Sequence, residues 1–339
     1  MLSIFVEVSC GRYLKDECTF CHVYEPLMQM PKSDWHLTPA QAQLMADKIK
    51  QVEVLNTLAQ HEINLTGGEA SQNPEIVDIF KIFKTVTPNV CLHTNLDIQS
   101  EETKRWQRLV DIMQLGGRID ITLYPTVWHE RQKHLLQQMM SLQNKLLANV
   151  VFESVTDLVM QLGLLVDFFK GLKPEVPEIA ALLEDYHGKV QYLAEHNPNC
   201  DENIYTTHMG DTGSFTQSGD FIFGINLLPA FGMDEQGRRA MTSNPFPKNP
   251  YLLECVAARG SIEIMTVQQN GNMTPCCDVG NLKCLPAFGN LFEDSPQEIE
   301  AKFEASRLKI EAGIHKNRTH LNTDKAGQWV EEGIPPYCV

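Results

Sequence analysis

Hydrophobic and polar positions in the first half of the chain follow two alternating periods. Short runs of strand-forming apolar residues give way to longer stretches in which apolar residues recur every three or four positions, the mark of an amphipathic helix. Leu2–Ser9 reads as a strand carried by Ile4, Phe5, Val6 and Val8. A loop follows to about Leu37, and Thr38-Pro39 then opens a helix over roughly 39–56, with Thr38 as N-cap and Pro39 at the first helical position. Glu62–Thr66 is a second strand and ends in Gly67-Gly68. Pro74–Val86 is helical, with Ile76, Val77, Ile79, Phe80 and Phe83 on one face. Val90–Asn95 is a third strand, followed by helix 101–115, strand 118–124, helix 127–145, strand Leu147–Glu153 and helix Asp157–Leu172.

A βα repeat of this kind specifies a parallel sheet with right-handed crossovers, open or partly closed into a barrel. Chemistry in such folds sits at the C-terminal ends of the strands. The pattern weakens after about Pro174. Residues 177–195 read either as one helix or as a helix followed by a strand over Val190–Leu193. Residues 198–250 are rich in Gly, Asn, Asp, Ser and Pro, with strand-like pieces such as Phe221–Ile225. Ser261–Val267 alternates like a strand, Asn270-Gly271 reads as a hairpin turn, and a helix spans 296–311 before a polar tail. A boundary near 198 divides the chain into 1–197 and 198–339. No internal repeat or low-complexity tract is evident.

Composition narrows the class. The chain has 339 residues, is 43% hydrophobic, and carries 28 basic against 43 acidic side chains, a net charge of −15. No apolar run approaches ~20 residues, so no membrane span is expected. The start, MLSIFVEVSCG, lacks a basic region and a small-residue cleavage site, so a cytoplasmic protein is expected. Strong acidity argues against broad nucleic-acid binding, which needs clustered Lys and Arg. Ten cysteines are too few for a disulfide scaffold in a chain this long, and without an export signal they point to metal or redox chemistry.

The first strand runs into Cys10-x7-Cys18-x2-Cys21, three cysteines within twelve residues. A zinc site usually takes four ligands, and no fourth cysteine lies in this loop; His22, directly after a ligand, would be strained in that role. Three thiolates suit a 4Fe–4S cluster with one iron left open, as a catalytic metal site keeps a position for substrate. The loop resembles the signature of the radical S-adenosylmethionine superfamily. That signature has a three-residue first gap where this chain has seven, and an aromatic residue, here Phe20, before the last cysteine.

The resemblance implies further roles. Gly67-Gly68-Glu69 after the second strand matches the family's GGE motif: the glycines let the backbone approach S-adenosylmethionine and Glu69 accepts its ammonium. Thr94-Asn95 ends strand three, Asp120 and Thr122 lie on strand four where a polar residue contacts the ribose or carboxylate, and Glu153 and Ser154 end strand five. Any one of these is more often an ordinary loop residue. Their recurrence at successive strand ends beside a cysteine loop is what favours a cofactor pocket. The fold implied is a partial (β/α)6 TIM-like barrel.

A second cluster, Cys255-x15-Gly271-x4-Cys276, continues with Cys277, Cys284 and Cys338. It resembles the opening of SPASM and twitch domains, with Gly289-Asn290-Leu291 and Ser295 resembling their continuation. A full SPASM domain holds a pair of clusters and needs more cysteines than this region has. One auxiliary 4Fe–4S cluster is therefore implied, with Cys255, Cys276 and Cys338 as ligands and Cys284, Cys277 or a substrate atom as the fourth. Cys91 reads as core and Cys200 is ambiguous; Trp128-His129 and His208 are candidates for a substrate cavity, though surface or core placement is the commoner fate. The Met139-Met140 pair reads as helix packing.

The activity implied is reductive cleavage of S-adenosylmethionine to a 5′-deoxyadenosyl radical that abstracts hydrogen from substrate. A barrel with an auxiliary-cluster domain implies a ribosomally synthesised precursor peptide as substrate, hence a peptide-modifying oxidoreductase or lyase. With strand one starting at residue 2, a leader-recognition domain is not expected before it, and a separate leader-peptide recognition protein is expected instead, with flavodoxin or ferredoxin as electron donor. The compact chain resembles the peptide spliceases, which excise a tyramine unit and leave a β-amino acid. The alternatives are a twitch-type dehydrogenase or cyclase acting on a small molecule, and a non-catalytic iron–sulfur redox protein, which would have no use for an adenosylmethionine pocket.

Overall fold

The strand and helix periods of the sequence become a parallel-rich α/β structure. The computed structural model describes residues 3–8, 36–96, 98, 102–123, 130–142, 145–152, 155–172, 177–196, 213–218, 221–229, 264–275 and 287–320. Chain contacts divide it into two units: Met1–Leu92 with Met233–Pro245 and Leu253–Val339, and His93–Gly232 with Phe246–Leu252.

In the first unit, β1 (Ser3–Glu7), α1 (Pro39–Gln51), α2 (Glu53–His61), β2 (Ile63–Thr66), a 3-10 turn (Ala70–Gln72), α3 (Ile76–Lys84) and β3 (Val90–Thr94, whose last two residues fall in the second unit) follow in order. β8 (Ile264–Val267), β9 (Asn272–Thr274), β10 (Gly289–Asn290) and α8 (Pro296–His320) come from the C-terminal part. The sheet order is β10-β9-β8-β1-β2-β3. β1 pairs parallel with β2, and β2 with β3. β8 lies parallel to β1 on its other side, with Val6 beside Val267. That pairing has no sequence signal, because parallel partners share no connecting turn. The expected division near 198 falls among residues outside those described.

The single helix expected over 39–56 is two. Val52 takes an extended conformation (φ −100°, ψ 115°) and separates α1 from α2. Thr38 and Gln41 form the capping box that opens α1, as the Thr38-Pro39 signal predicts. α2 has no local side-chain cap; Glu300 of α8 accepts from the Glu53 N–H at 3.0 Å. A cap contributed from that far along the chain leaves no trace in the local sequence. Met45, Ile49, Leu55, Leu58, Ile79, Phe80 and Phe83 form the apolar layer of α1–α3, with α1 against α3 and α2 against β1.

The β8–β9 hairpin turns where expected. Gly271 has φ +85°, a region that favours glycine, and Gly271 N donates to Gln268 O. Asn290 fastens the hairpin. Its side-chain amide donates to Asn270 O and Asn272 Oδ1, and its Oδ1 accepts from Phe292 N. Asp294 accepts from Lys302 Nζ at 2.7 Å and Asn290 N at 2.8 Å, which holds its carboxyl below the ordinary carboxylate range. Ser295 and Glu298 form the capping box of α8, which continues to His320, beyond the expected end at 311.

In the second unit, α4 (Thr103–Gln114), β4 (Arg118–Leu123), α5 (Glu130–Leu142), β5 (Lys145–Phe152), α6 (Val155–Gly171), α7 (Pro177–His196), β6 (Gly213–Ser218) and β7 (Phe221–Pro229) give the sheet order β4-β5-β7-β6. β4, β5 and β7 are parallel and β6 is antiparallel. α7 is one helix, with Val190 buried in it, so the strand alternative over Val190–Leu193 is corrected. α6 packs on α7, and Phe169 meets Phe223 of β7 edge-to-face at 5.0 Å. Met139 is buried in α5, as expected of packing. No helix among the described residues is long and apolar enough to cross a membrane.

Three outcomes follow. Gly271→Ala is expected to cost about 1–3 kcal/mol in chemical denaturation, because a Cβ would lie 2.7 Å from Asn290 Oδ1 and 2.7 Å from Phe292 Cδ2 in a strained conformation. Gly188→Ala, with nothing within 4 Å of its Cβ, is expected to be neutral or stabilising. Because the folded-state pKa of Asp294 is depressed, its contribution is complete above the ordinary carboxylate pKa and disappears as pH falls through the depressed value. Asp294→Asn should therefore flatten part of the acid limb of a stability–pH curve.

Candidate functional site

Alternation along the strands separates two chemically different faces. In the first unit, Ile4, Val6, Ile63, Leu65, Val90, Leu92, Met265, Val267 and Met273 share one face by register, and all are buried. The opposite face carries Glu7, Asn64, Cys91, Thr266 and Thr274, also buried, with relative exposures of 4% or less. The second unit repeats the pattern: Ile119, Ile121, Leu146, Ala148 and Val150 are apolar and buried, while Asp120 and Asn149 are buried on the other face with Thr122 half-buried. Strands of a parallel sheet covered on both sides ordinarily read as continuous apolar runs. Phe5 in the first unit and Leu147 in the second lie on these same faces by register, so the faces are mixed. Buried polar side chains cost free energy unless partnered, so their recurrence there marks an interior built for polar contents.

The GGE turn sits at the carboxyl end of β2. Gly67 has φ +112°, where a side chain would be strained, and Gly68 is exposed. Glu69 is buried, and its carboxylate accepts from Ser71 N and from the Ser71 hydroxyl, so it caps the turn at 70–72. Four residues on, Asn73 is fully buried and ties together the two ends of the cysteine loop. Its amide donates to Val8 O at 3.0 Å and Leu37 O at 2.8 Å, and its Oδ1 accepts from Glu75 N. Leu37 N donates to Val8 O, and Val8 N donates to Thr66 O. Val8 and Leu37, on either side of residues 9–35, therefore both lie beside the GGE turn.

In the second unit, Thr94 and Asn95 form a bend at the end of β3. Thr94 Oγ1 accepts from Leu96 N, and Leu96 holds φ +55°, a strained value for a side chain of that size. Gln132 of α5 donates to Asn95 O at 3.0 Å. Both carboxylate oxygens of Asp120 accept from Arg118, at 2.8 and 3.0 Å. The forked guanidinium on the same strand offsets the burial of that carboxylate.

Of the expected site residues, Gly67, Gly68 and Glu69 cluster at one strand end, Thr94 and Asn95 form the bend, and Asp120 and Thr122 lie on the polar face of β4. Cys91, expected in the core, is buried but on the polar face beside Asn64. Cys10, Cys18, Cys21, Cys255, Cys276, Cys277, Cys284, Cys338, Glu153 and Ser154 lie outside the described residues, as do Phe20, His22, Trp128, His129, Cys200 and His208. Sequence reasoning passed over Glu7, Asn64, Asn73, Asn149 and Thr266. The usable signal was the polar residue set between apolar ones within each buried strand.

No family model and no curated protein matches the chain. Among solved structures it is similar to Streptococcus suis SuiB bound to S-adenosylmethionine, with 13% identity and a TM-score of 0.45 over 87% of this chain and 64% of that one. It is also similar to SuiB bound to the precursor peptide SuiA, with 14% identity and a TM-score of 0.46 over 86% and 63%. The chain thus spans less than two thirds of the length of these proteins. At that level of similarity their ligands do not carry over to this chain.

Asn73→Leu is expected to lower stability by about 1–3 kcal/mol, because it leaves buried carbonyls short of a donor. It should also speed hydrogen exchange at the Leu37 amide, which shares the Val8 carbonyl with Asn73. Unchanged exchange there would show that Asn73 does not hold the loop ends.

Proposed function

We propose that this chain is a radical S-adenosylmethionine enzyme that modifies a ribosomally synthesised peptide. The observation that carries the reading is the shared carboxyl edge of β1 and β2: the segment bearing Cys10, Cys18 and Cys21 departs from Val8, hydrogen-bonded to Thr66, and the glycine turn follows immediately. Ligands of parallel α/β folds bind at that edge. The donor chemistry suits the cofactors. Three thiols fit a 4Fe–4S cluster with one open iron, the Gly67 backbone admits close approach, and Glu69 supplies a carboxylate for an ammonium.

When bound, the cluster supplies the electron that cleaves S-adenosylmethionine and so starts hydrogen abstraction. The chain's own residues do the rest. Asn73 holds together Val8 and Leu37, which flank the segment bearing the cysteines, Ser71 orients the Glu69 carboxylate, and the apolar layer of α1–α3 anchors the strands that carry the turn. Cys255, Cys276 and Cys338, with Cys284 or Cys277, are assigned to one auxiliary cluster. A leader-binding protein and a flavodoxin or ferredoxin are the proposed partners. The narrower form of the proposal is backbone splicing with loss of tyramine.

Reconstituted protein is expected to form 5′-deoxyadenosine from S-adenosylmethionine under dithionite, and Cys18→Ala to form none. Wild-type protein that holds its iron and forms none contradicts the proposal. Glu69→Gln is expected to raise the KM for S-adenosylmethionine about tenfold, in line with one lost charge-assisted hydrogen bond. Iron content should fall in Cys255→Ala and Cys276→Ala; unchanged iron removes the auxiliary cluster.

A further inference from the structure

Three buried side-chain atoms among the described residues lack a hydrogen-bond partner: Gln268 Nε2, Gln269 Nε2 and Thr274 Oγ1. Their residues are 5%, 2% and 1% exposed. Each such atom carries a penalty of about 1–3 kcal/mol, and folded proteins show only a few per hundred residues. Here all three belong to one hairpin. Its polar strand face holds Thr266 and Thr274, directly paired across β8 and β9, and Gln268 continues β8 at its carboxyl end. Val6 of β1 is in register with Val267, so Gln268 stands beside Glu7, on the edge where the cysteine loop and the glycine turn begin.

The hairpin is not loose. Gly271, Asn290 and Asp294 fasten it, and β8 is bonded into the sheet. The backbone that carries the donors is fastened before any ligand arrives, which lowers the entropy lost on binding. Their chemistry selects the ligand. Two primary amides and a hydroxyl are neutral donors, and the buried Glu7 carboxyl belongs to the same face. Phosphate or another anion would meet repulsion without a compensating cation. A neutral amide offers a carbonyl to the glutamine donors and an N–H to a carboxyl or hydroxyl oxygen.

We propose that Thr274, on the polar face of the β8–β9 hairpin, together with Gln268 and Gln269, where β8 enters its turn, forms a subsite for a secondary amide, the group a peptide backbone presents. The subsite rests on the hairpin alone; its use for a peptide substrate rests on the function proposed above.

The test uses the full-length chain and its variants Gln268→Met, Gln269→Met and Thr274→Val. If the atoms await a ligand, each substitution removes an unsatisfied buried group and raises the melting temperature of the unliganded protein by about 2–4 °C. The probe is acetyl-Ala-Ala-N-methylamide, followed through the 15N-labelled glutamine side-chain signals that disappear in the two Gln variants. Those signals should move with the probe and stay still with inorganic phosphate. Lower melting temperatures, no movement with the probe, or equal movement with phosphate would overturn the proposal. Movement on iron and sulfide reconstitution alone would overturn it too, by assigning the donors to cluster sulfur. Neither readout requires S-adenosylmethionine cleavage, so a failed cleavage assay with these results intact counts against the enzyme reading and leaves the subsite standing.

Discussion

Burying a polar strand face is the constraint on which the other features depend. A side chain such as Asn64 or Asp120, withdrawn from water, is tolerated only where partners or contents satisfy it. The apolar face repays the folding cost: burying a single Ile or Leu is worth about 1.5–3 kcal/mol, and in the first unit that face is filled from Ile4 to Met273. Stability on one side of the strands lets the other side be given to polar chemistry. The same division of labour recurs in β4 and β5, where Ile121 and Val150 are apolar and Asp120 and Asn149 polar.

Hydrogen bonds at the strand ends then fix where loops begin. Asn73 holds Val8 and Leu37 together across the 27 intervening residues 9–35 and their described neighbour His36, a task the backbone alone performs only partly through the Leu37 N–H and Val8 carbonyl. Leu96 holds its strained conformation because Thr94 accepts its N–H and Gln132 braces the neighbouring carbonyl. The hairpin after β8 uses the same device from farther away: Asn290 and Asp294 hold a turn whose sharpness depends on Gly271. In the first case the fastened strand ends flank the segment that bears Cys10, Cys18 and Cys21, and in the last the fastened turn bears the unpartnered donors.

Local signals were well represented in the sequence. The Thr38-Pro39 start, the Asn270-Gly271 turn and the βα alternation each depend on residues close together in the chain, and each appears in the structure. Long-range contributions were not legible. The break at Val52 depends on a cap from Glu300, and the partnership of β8 with β1 has no connecting turn to announce it. Asn290, seen in the sequence only as part of a motif, acts as a structural clasp. Asp120 was expected to contact a cofactor, and in the structure both of its oxygens engage Arg118, two residues earlier on the same strand. The polar face itself was visible as interruptions such as Asn64 between Ile63 and Leu65, once the strand is known to be covered on both sides.

Cys10, Cys18 and Cys21 are proposed to hold a cluster whose open iron takes S-adenosylmethionine. Electron paramagnetic resonance of the reduced, reconstituted protein, recorded with and without S-adenosylmethionine, tests it most directly. The expected result is a 4Fe–4S signal that changes shape when S-adenosylmethionine is added and is lost in the triple variant lacking Cys10, Cys18 and Cys21. A signal identical with and without S-adenosylmethionine, or one that survives the triple substitution unaltered, would contradict it.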